Sequence, residues 1–278
     1  MIANIGGQLG LAYAFVEREI ALSKRYWAWE VVWIVYGIAT SLSVVYIGVA
    51  APRITGGQVD DAAISRFVLY LLVGTIAWRF LGIVFDNIGE VIAWERWEGT
   101  IEYTFMSPVP RLTHLAGMCL ATLARALMFS VTTLAAVAIF VPVDLARANV
   151  TSAVVLFAVG ALAFLGLGIA SASFPLMWPE KGLQMAYIVQ AVVLLVSGVY
   201  YPVDVLPGWA QLVAHLSPAT YVIRGMRSAL MDGADLTALW PEIWPALVIG
   251  VLSIPIGLRL FVMVERYAKK TGRLKRSG

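Results

Sequence analysis

Three ionisable residues lie inside long apolar runs of the sequence, where a charge is costly: Arg79, Asp86 and Arg125. Charges at such positions are functional candidates by default, because they can move protons, bind ligands or pair with one another inside a membrane. Arg79 and Asp86 are seven positions apart, which predicts one helix face and a separation of about 10 Å along the axis. A proton relay needs several carboxylates at depth, and Asp86 alone is available, near the predicted cytoplasmic end of its segment. Snorkelling or structural pairing is the alternative role for each residue.

Other catalytic chemistries have no matching pattern in the sequence. The phosphate-binding run Gly-x-x-x-x-Gly-Lys-Ser/Thr is absent, so the chain is not predicted to hold ATP. His114 and His215 stand alone, without further ligands at metal-binding spacing, and no Ser-His-Asp arrangement is indicated. The single cysteine, Cys119, lies in an apolar run and excludes a disulfide framework. We therefore predict no catalytic residue and no metal or cofactor bound by this chain itself.

The composition predicts a polytopic all-α membrane protein. Hydrophobic residues make up 60% of the 278 positions and charged residues 13%, which is far more apolar than a soluble domain. A crossing helix needs about 20 mostly apolar residues. Six segments meet this requirement: 31–50, 67–88, 114–141, 151–174, 183–201 and 243–264.

Six crossings place both termini on one side of the membrane. Lys and Arg are concentrated in the two tails and in the loops near 89–113 and 175–182, which predicts that this side is the cytoplasm. The basic tail is attributed to anionic lipid headgroups, at about 1 kcal/mol per residue, rather than to nucleic acid. We predict a single domain over 1–278, and its parts are an interface helix (1–30), spans one to five (31–201), an outer re-entrant hairpin (202–240) and span six with the tail (241–278).

The segment before the first crossing predicts an amphipathic helix in the cytoplasmic interface. Within residues 8–29, apolar residues at helical spacing oppose charged residues such as Glu17 and Arg18. Anchoring to the membrane and gripping a partner subunit are both open roles for this helix.

The segment 202–240 does not fit a simple crossing. It holds two short amphipathic pieces, at 206–216 and 218–231, which are each too short to span a bilayer. Pro207 and Pro218 suit first-turn positions, and Ser217 suits a helix N-cap. Two half-length helices on the outer side predict a re-entrant hairpin, which must be buried in protein or line an aqueous cavity.

A charged loop with Gly and Pro separates the second and third predicted crossings. Its distinctive residues are Glu95, Arg96, Glu98, Gly99, Thr100, Glu102, Ser107 and Pro108. Their order resembles the cytoplasmic coupling loop of ABC type-2 permeases, which runs acidic, basic, any, acidic, Gly, Thr, apolar, acidic and continues to Ser-Pro-Val. The resemblance implies that this loop docks on a separate ATPase.

The outer segment carries a second part of the same resemblance. In type-2 permeases this region forms the outer gate, and the matching positions are Gly198, Tyr201, Pro202, Pro207, Trp209, Pro218, Tyr221 and Arg227. An ordinary folded loop is the alternative. The two motifs lie in the expected order on opposite predicted sides, and the resemblance extends over the whole chain.

The resemblance implies the permease subunit of an ABC exporter in the cell (inner) membrane, similar to drug and nodulation-factor exporters. It would move a hydrophobic or amphipathic molecule, such as a drug, lipid or glycolipid, out of the cytoplasm. ATP and Mg²⁺ would be bound by separate ATPase subunits, and the permease would pair with a second copy or a sister chain. Two alternatives stay open: a permease for a lipid-linked polysaccharide of O-antigen type, and a non-transporting scaffold that recruits a regulator.

Overall fold

The computed structural model describes residues 5–55, 60–99, 103, 106, 111–141, 145–178 and 180–271. Regular structure in these ranges is helical, without a strand, which confirms the all-α prediction. The α-helices are α1 (Ile5–Arg25), α2 (Trp27–Thr55), α3 (Asp61–Glu98), α4 (Arg111–Phe140), α5 (Val150–Ser171), α6 (Ser173–Met177), α7 (Gly182–Val196), α8 (Gly208–Leu216), α9 (Pro218–Met231) and α10 (Trp240–Lys270).

Five helical segments within those ranges are long and apolar enough to cross a membrane. They are Trp27–Pro52, Asp61–Glu95, Gly117–Phe140, Val150–Met177 and Trp240–Lys270. The crossing predicted at 183–201 is represented by α7, whose 15 residues extend about 22 Å, against roughly 30 Å for a bilayer core. The helix stops early because Gly198 adopts a left-handed conformation with φ of 68°, which ends the helical path. The predicted count of six crossings is therefore not confirmed.

Helices α3 and α5 form the centre of the bundle. Phe80 and Leu81 of α3 pack with Leu156 and Phe164 of α5 in the main hydrophobic core. Their side chains are almost completely buried, which stabilises the pair by the removal of apolar area from water or lipid contact. Helices α2, α4 and α10 surround this centre and keep exposed apolar faces, as expected of helices that face lipid or another subunit.

Helices α5 and α10 pack closely, and glycines permit the approach. At Gly257 of α10, an added Cβ would lie 2.5 Å from the carbonyl oxygen of Gly166 and 3.2 Å from the amide nitrogen of Ala170. Both atoms belong to the backbone of α5 and cannot move aside alone. Small residues thus bring the two backbones into contact, as in other membrane helix pairs.

We expect Gly257→Ala to lower the free energy of unfolding by about 1 to 3 kcal/mol, because the added methyl group must push α5 and α10 apart. Gly208→Ala is the matched control, since an added Cβ there meets nothing within 4 Å. Thermal unfolding in detergent compares the two variants. A melting temperature for Gly257→Ala equal to that of Gly208→Ala would contradict the close backbone contact.

The two outer pieces are present close to the predicted positions, as α8 and α9. Pro207 precedes α8, and Pro218 occupies the first turn of α9. Ser217 takes the N-cap position, yet its hydroxyl makes no capping bond and pairs instead with the Ser197 hydroxyl at 2.7 Å. This pair ties the start of α9 to the end of α7.

Helix α9 is part of the bundle rather than a peripheral loop. Val222, Ile223 and Met226 are completely or almost completely buried and join the core formed by α3 and α5. Helix α9 is therefore buried in protein, as a hairpin within a membrane requires, whereas α8 keeps exposed apolar side chains such as Leu212 and Leu216. A re-entrant position in the bilayer stays a prediction.

Helix α1 lies where an interface helix was predicted, although it ends at Arg25 and α2 already begins at Trp27. The predicted apolar side faces outward, with Tyr13 and Ile20 exposed. Arg18 was predicted on the polar, water-facing side, but it turns toward the bundle and pairs with Glu95 of α3. The reason is electrostatic, because a buried carboxylate requires a nearby cation.

Candidate functional site

A stripe of polar residues follows one face of α3. Thr75, Arg79, Asp86 and Glu90 are separated by four, seven and four positions, which places them on one side of the helix. The stripe extends about 22 Å along the axis, a large part of the roughly 30 Å of a bilayer core. Polar and ionisable residues at membrane depth mark ligand or ion paths.

The polar stripe faces a cavity of about 440 Å³, with walls from α2, α3, α4 and α7. The three intramembrane charges predicted from the sequence, Arg79, Asp86 and Arg125, all line this cavity. Tyr36 on the α2 wall is 57% exposed, so that wall opens to the outside of the chain. The structure therefore brings Arg125 of α4 to the same cavity as Arg79 and Asp86, which the sequence predicted on one face of another helix.

Arg79 contacts the backbone of α2 at Trp33 and Gly37. Its guanidinium donates a hydrogen bond of 3.0 Å to the carbonyl oxygen of Trp33. The group also lies against Gly37, where an added Cβ would overlap it. Among the described residues, no ion pair includes Arg79. An arginine at mid-membrane costs about 2.5 to 3.5 kcal/mol on insertion scales, so its retention indicates a role.

Arg125 has a carboxylate partner on another helix. It lies 3.0 Å from Glu30 at the start of α2, and the side chains are 30% and 14% exposed. The hydroxyl of Ser23 also donates to Glu30, at 3.2 Å. The guanidinium carbons of Arg125 and Arg79 are each 5.7 Å from the ring centre of Phe129. The two cations therefore lie at one end of the cavity.

Two carboxylates lie at the other end. Asp86 accepts a hydrogen bond of 2.9 Å from the Gln190 amide, and Glu90 accepts one of 3.2 Å from the Tyr187 hydroxyl. Both donors belong to α7. Because α3 continues to Glu98, Asp86 is about 18 Å from the helix end, whereas the predicted crossing 67–88 placed it next to the end.

Several buried polar atoms of the cavity wall have no hydrogen-bond partner among the described residues. They are Nε of Arg79, Oδ1 of Asp86 and Oγ of Ser41. Buried polar groups of native proteins are nearly always paired, so unpaired atoms at a cavity indicate water or a polar ligand. The wall is thus suited to a polar occupant.

A cluster of charges connects four helices next to the cavity. Its members, which we call the charge cluster, are Arg18 and Glu19 of α1, Glu30 of α2, Glu95 of α3 and Arg125 of α4. Arg18 lies 3.2 Å from Glu95, which is only 1% exposed. Burial raises the pKa of Glu19 above its usual value, with Arg18 and Arg125 acting in the opposite direction. The cluster links the end of α3 to the cavity through Arg125.

The predicted coupling loop begins later than expected. The stretch from Glu95 to Glu98, including Arg96, lies within α3, because the helix extends beyond its apolar part. Gly99 ends the helix with φ of 76°, a left-handed conformation that glycine adopts without strain. Thr100, Glu102, Ser107 and Pro108 lie outside the described residues. Tyr103 and Met106 are 80% and 85% exposed.

Glu95 is far more buried than a docking residue on an exposed loop is expected to be. It was predicted to dock on an ATPase, but its side chain is buried and paired with Arg18 inside the chain. This ion pair lies within the chain, and docking of the loop on an ATPase stays a prediction.

Arg227, a predicted gate residue, fastens the turn after α7 to α3. Its guanidinium donates hydrogen bonds to the carbonyl oxygens of Gly198 and Val199, at 2.9 Å and 2.6 Å. The guanidinium carbon lies 3.4 Å from the ring centre of Tyr70 on α3. Gly74 provides the necessary space, since an added Cβ would overlap the Val199 carbonyl oxygen. The turn is therefore held by a partly buried cation.

The other predicted gate residues lie around this turn in different roles. The Tyr201 hydroxyl donates to the carbonyl oxygen of Leu195 at 2.5 Å, and the Tyr221 hydroxyl donates to that of His215 at 2.9 Å. Trp209 is 68% exposed at the start of α8. Pro202, Pro207 and Pro218 hold backbone positions at the starts of short helices.

Some residues of the site were missed by the sequence analysis. Glu30 lies at the edge of the first crossing, and Glu90 lies just beyond the second predicted crossing. The spacing of four positions between Asp86 and Glu90 could have indicated a shared face. Gln190 and Tyr187 gave no signal, because single polar residues near an apolar segment are common.

A helical bundle with a charged cavity at membrane depth is typical of a membrane transport protein. The chain belongs to the ABC-2 type transporter family, whose model matches residues 11–231. The family match confirms the resemblance drawn from the two sequence motifs.

Relatives of the chain are also named as membrane transport permeases. The chain is similar to the inner membrane transport permease YadH of Escherichia coli (strain K12), at 22% identity over 218 residues, covering 77% of this chain and 84% of that protein. The proteins of the same name from Escherichia coli O157:H7 and Shigella flexneri match with equal identity and coverage. The chain is thus a member of a family of membrane transport permeases.

Proposed function

We propose that this chain is the permease subunit of an ATP-driven exporter, and that the cavity beside α3 is its share of the translocation path. The observation that carries the proposal is that the polar stripe of α3, with Arg79 and Asp86, shares the cavity wall with Arg125 of α4. The cargo is a hydrophobic or amphipathic molecule that leaves the cytoplasm. Two ATPase subunits, which bind ATP and Mg²⁺, supply the energy.

The subunit works in the inner membrane with both termini in the cytoplasm. The relatives named as inner membrane permeases support the location, and the Lys and Arg distribution supports the orientation. A sixth crossing is completed by α7 together with the turn at 197–199. Irregular backbone at membrane depth needs burial in protein, and Arg227 supplies the hydrogen bonds that Gly198 and Val199 require.

A second permease copy closes the path. The α2 wall of the cavity opens outward at Tyr36, and the outer face of α7 is apolar, with Ile188 65% exposed and Leu195 52% exposed. Two such faces, related by a two-fold axis, would bury each other and enclose a shared channel between the two cavities.

The charge cluster couples the ATPase to the cavity. ATP-dependent closure of the ATPases presses on the segment after Gly99, and α3 carries the movement as a continuous helix of 38 residues. The ion pair of Glu95 with Arg18 makes α1 move together with α3. The ion pair of Arg125 with Glu30 passes this movement to the part of the charge cluster that lies at the cavity. At the outer side, α8 and α9 open the exit around the turn held by Arg227.

We expect Gly99→Pro to abolish ATP-driven transport and Gly99→Ala to reduce it only in part. Proline fixes φ near −65° and cannot adopt the observed φ of 76°, whereas alanine is strained by about 1 to 2 kcal/mol. The measurement is transport and cargo-stimulated ATP hydrolysis by proteoliposomes that contain the permease and an ATPase encoded beside it.

The same preparation tests the proposed function itself. Co-purification of the ATPase and uptake of cargo into inverted vesicles only with ATP would support an exporter. A chain that binds no ATPase, or normal stimulation in Gly99→Pro, would contradict the coupling role of this loop.

A further inference from the structure

We propose that the cavity binds the anionic group of an amphipathic molecule, with the guanidinium of Arg79 as its counter-ion. The inference rests on the proposed function, because it names the chemical class of the cargo that the path accepts. It is carried by the unequal pairing of the charges in the cavity wall.

Arg79 uses few of its hydrogen-bond donors within the described residues. A guanidinium carries five N–H donors. One hydrogen bond reaches the carbonyl oxygen of Trp33, at 3.0 Å, and the buried Nε has no described partner. No ion pair of the described residues includes this arginine. A forked donor without a counter-ion is matched to a phosphate or carboxylate.

Arg125, the other arginine of the cavity wall, is already paired. Arg125 has Glu30 at 3.0 Å. Asp86 and Glu90 each accept a hydrogen bond from α7. An incoming anion would therefore bind best at Arg79, because this cation has no ion pair among the described residues.

The position of the charges favours an anion at this end of the cavity. The guanidinium carbons of Arg79 and Arg125 both lie 5.7 Å from the ring centre of Phe129. Asp86 and Glu90 are displaced from Arg79 by about 10 Å and 16 Å along the α3 axis. The charge of Arg125 is compensated by its carboxylate partner at 3.0 Å. Arg79 is therefore the cation beside Phe129 that has no ion pair among the described residues.

The cavity has an aromatic part next to Arg79, within a wall that is otherwise largely polar. Trp33, Trp78 and Phe129 form this aromatic part, and the cavity volume of about 440 Å³ exceeds the size of a free phosphate. Small-molecule sites usually occupy roughly 300 to 1,000 Å³ with mostly apolar walls and a few polar anchors. The occupant is thus an amphipath, with its anionic group at Arg79 and its chain or ring among the aromatic side chains.

Binding of matched probes to the full chain in phosphatidylcholine nanodiscs tests this inference without an ATPase. The probes share one alkyl chain and differ in the headgroup: dodecyl phosphate, dodecyltrimethylammonium and dodecyl maltoside. Empty nanodiscs give the partition into lipid, which is subtracted. We expect dodecyl phosphate to bind about tenfold or more tightly than the other two, as a charge-assisted contact allows.

Three variants separate the role of Arg79 from a general effect on folding. Arg79→Gln should abolish the preference for phosphate, and Arg79→Lys should keep part of it, because lysine retains the charge without the fork. Arg224→Gln is the matched control, because Arg224 is exposed and does not line the cavity, and this variant should keep the preference. Thermal unfolding of each variant verifies that the fold is intact.

Equal affinity for the three probes, or a phosphate preference that survives Arg79→Gln, would overturn the inference. Competition by phosphatidylglycerol in the nanodiscs would assign the anion to a bilayer lipid, and its absence would assign it to a soluble amphipath. Both results are compatible with an anion site. Phosphate binding at Arg79 without ATP-driven movement in the vesicle assay would refute the exporter proposal and leave the binding site standing.

Discussion

Arg227→Leu is expected to lower the free energy of unfolding by about 3 kcal/mol and to impair transport. The variant removes the donors to the Gly198 and Val199 carbonyl oxygens, and a hydrogen bond to a charged group contributes about 1.5 to 3 kcal/mol. It also removes the contact with the Tyr70 ring. Thermal unfolding in detergent and vesicle transport are the measurements.

Arg224→Leu is the control, since Arg224 lies one helical turn earlier on α9 and is exposed. Arg227→Lys should lose part of the stability, because one ammonium cannot reproduce the forked contact with two carbonyl groups. Equal melting temperatures for Arg227→Leu and Arg224→Leu would show that the turn after α7 does not depend on this cation.

Much of the fold follows from the amino-acid sequence. Long apolar segments locate the crossing helices, and proline and glycine locate the outer pieces, so that predicted 206–216 and 218–231 differ little from α8 and α9. Helix ends in charged sequence were predicted poorly. The crossing predicted at 67–88 extends over Asp61–Glu98, because Arg18 pairs with Glu95 and allows the helix to continue.

The candidate site was predictable only as separate parts. Arg79, Asp86 and Arg125 stood out because charge is rare in apolar segments. Their meeting in one cavity depends on how α2, α3, α4 and α7 pack, and that arrangement leaves no trace in local spacing. Gly37 illustrates the limit, since its role is to leave room for a guanidinium on another helix.

The second large effect is expected at the ion pair of Arg125 with Glu30. Arg125→Leu leaves the Glu30 carboxylate without its cation, although that side chain is only 14% exposed. Breaking a buried pair from one side costs about 3 to 5 kcal/mol, and the partial exposure of Arg125 favours the lower end. We therefore expect a loss of about 3 kcal/mol in the free energy of unfolding, measured by thermal unfolding in detergent.

Arg66→Leu is the matched control, because its ion pair with Asp232 is exposed and such pairs contribute about 0 to 1 kcal/mol. The double variant Arg125→Leu with Glu30→Leu should recover most of the stability, since apolar replacement of a buried pair is often neutral. Transport should stay impaired in the double variant, because the charge cluster no longer connects the cavity to α2. A raised melting temperature with full transport for Arg125→Leu alone would mean that Arg125 faces lipid and has no part in the path.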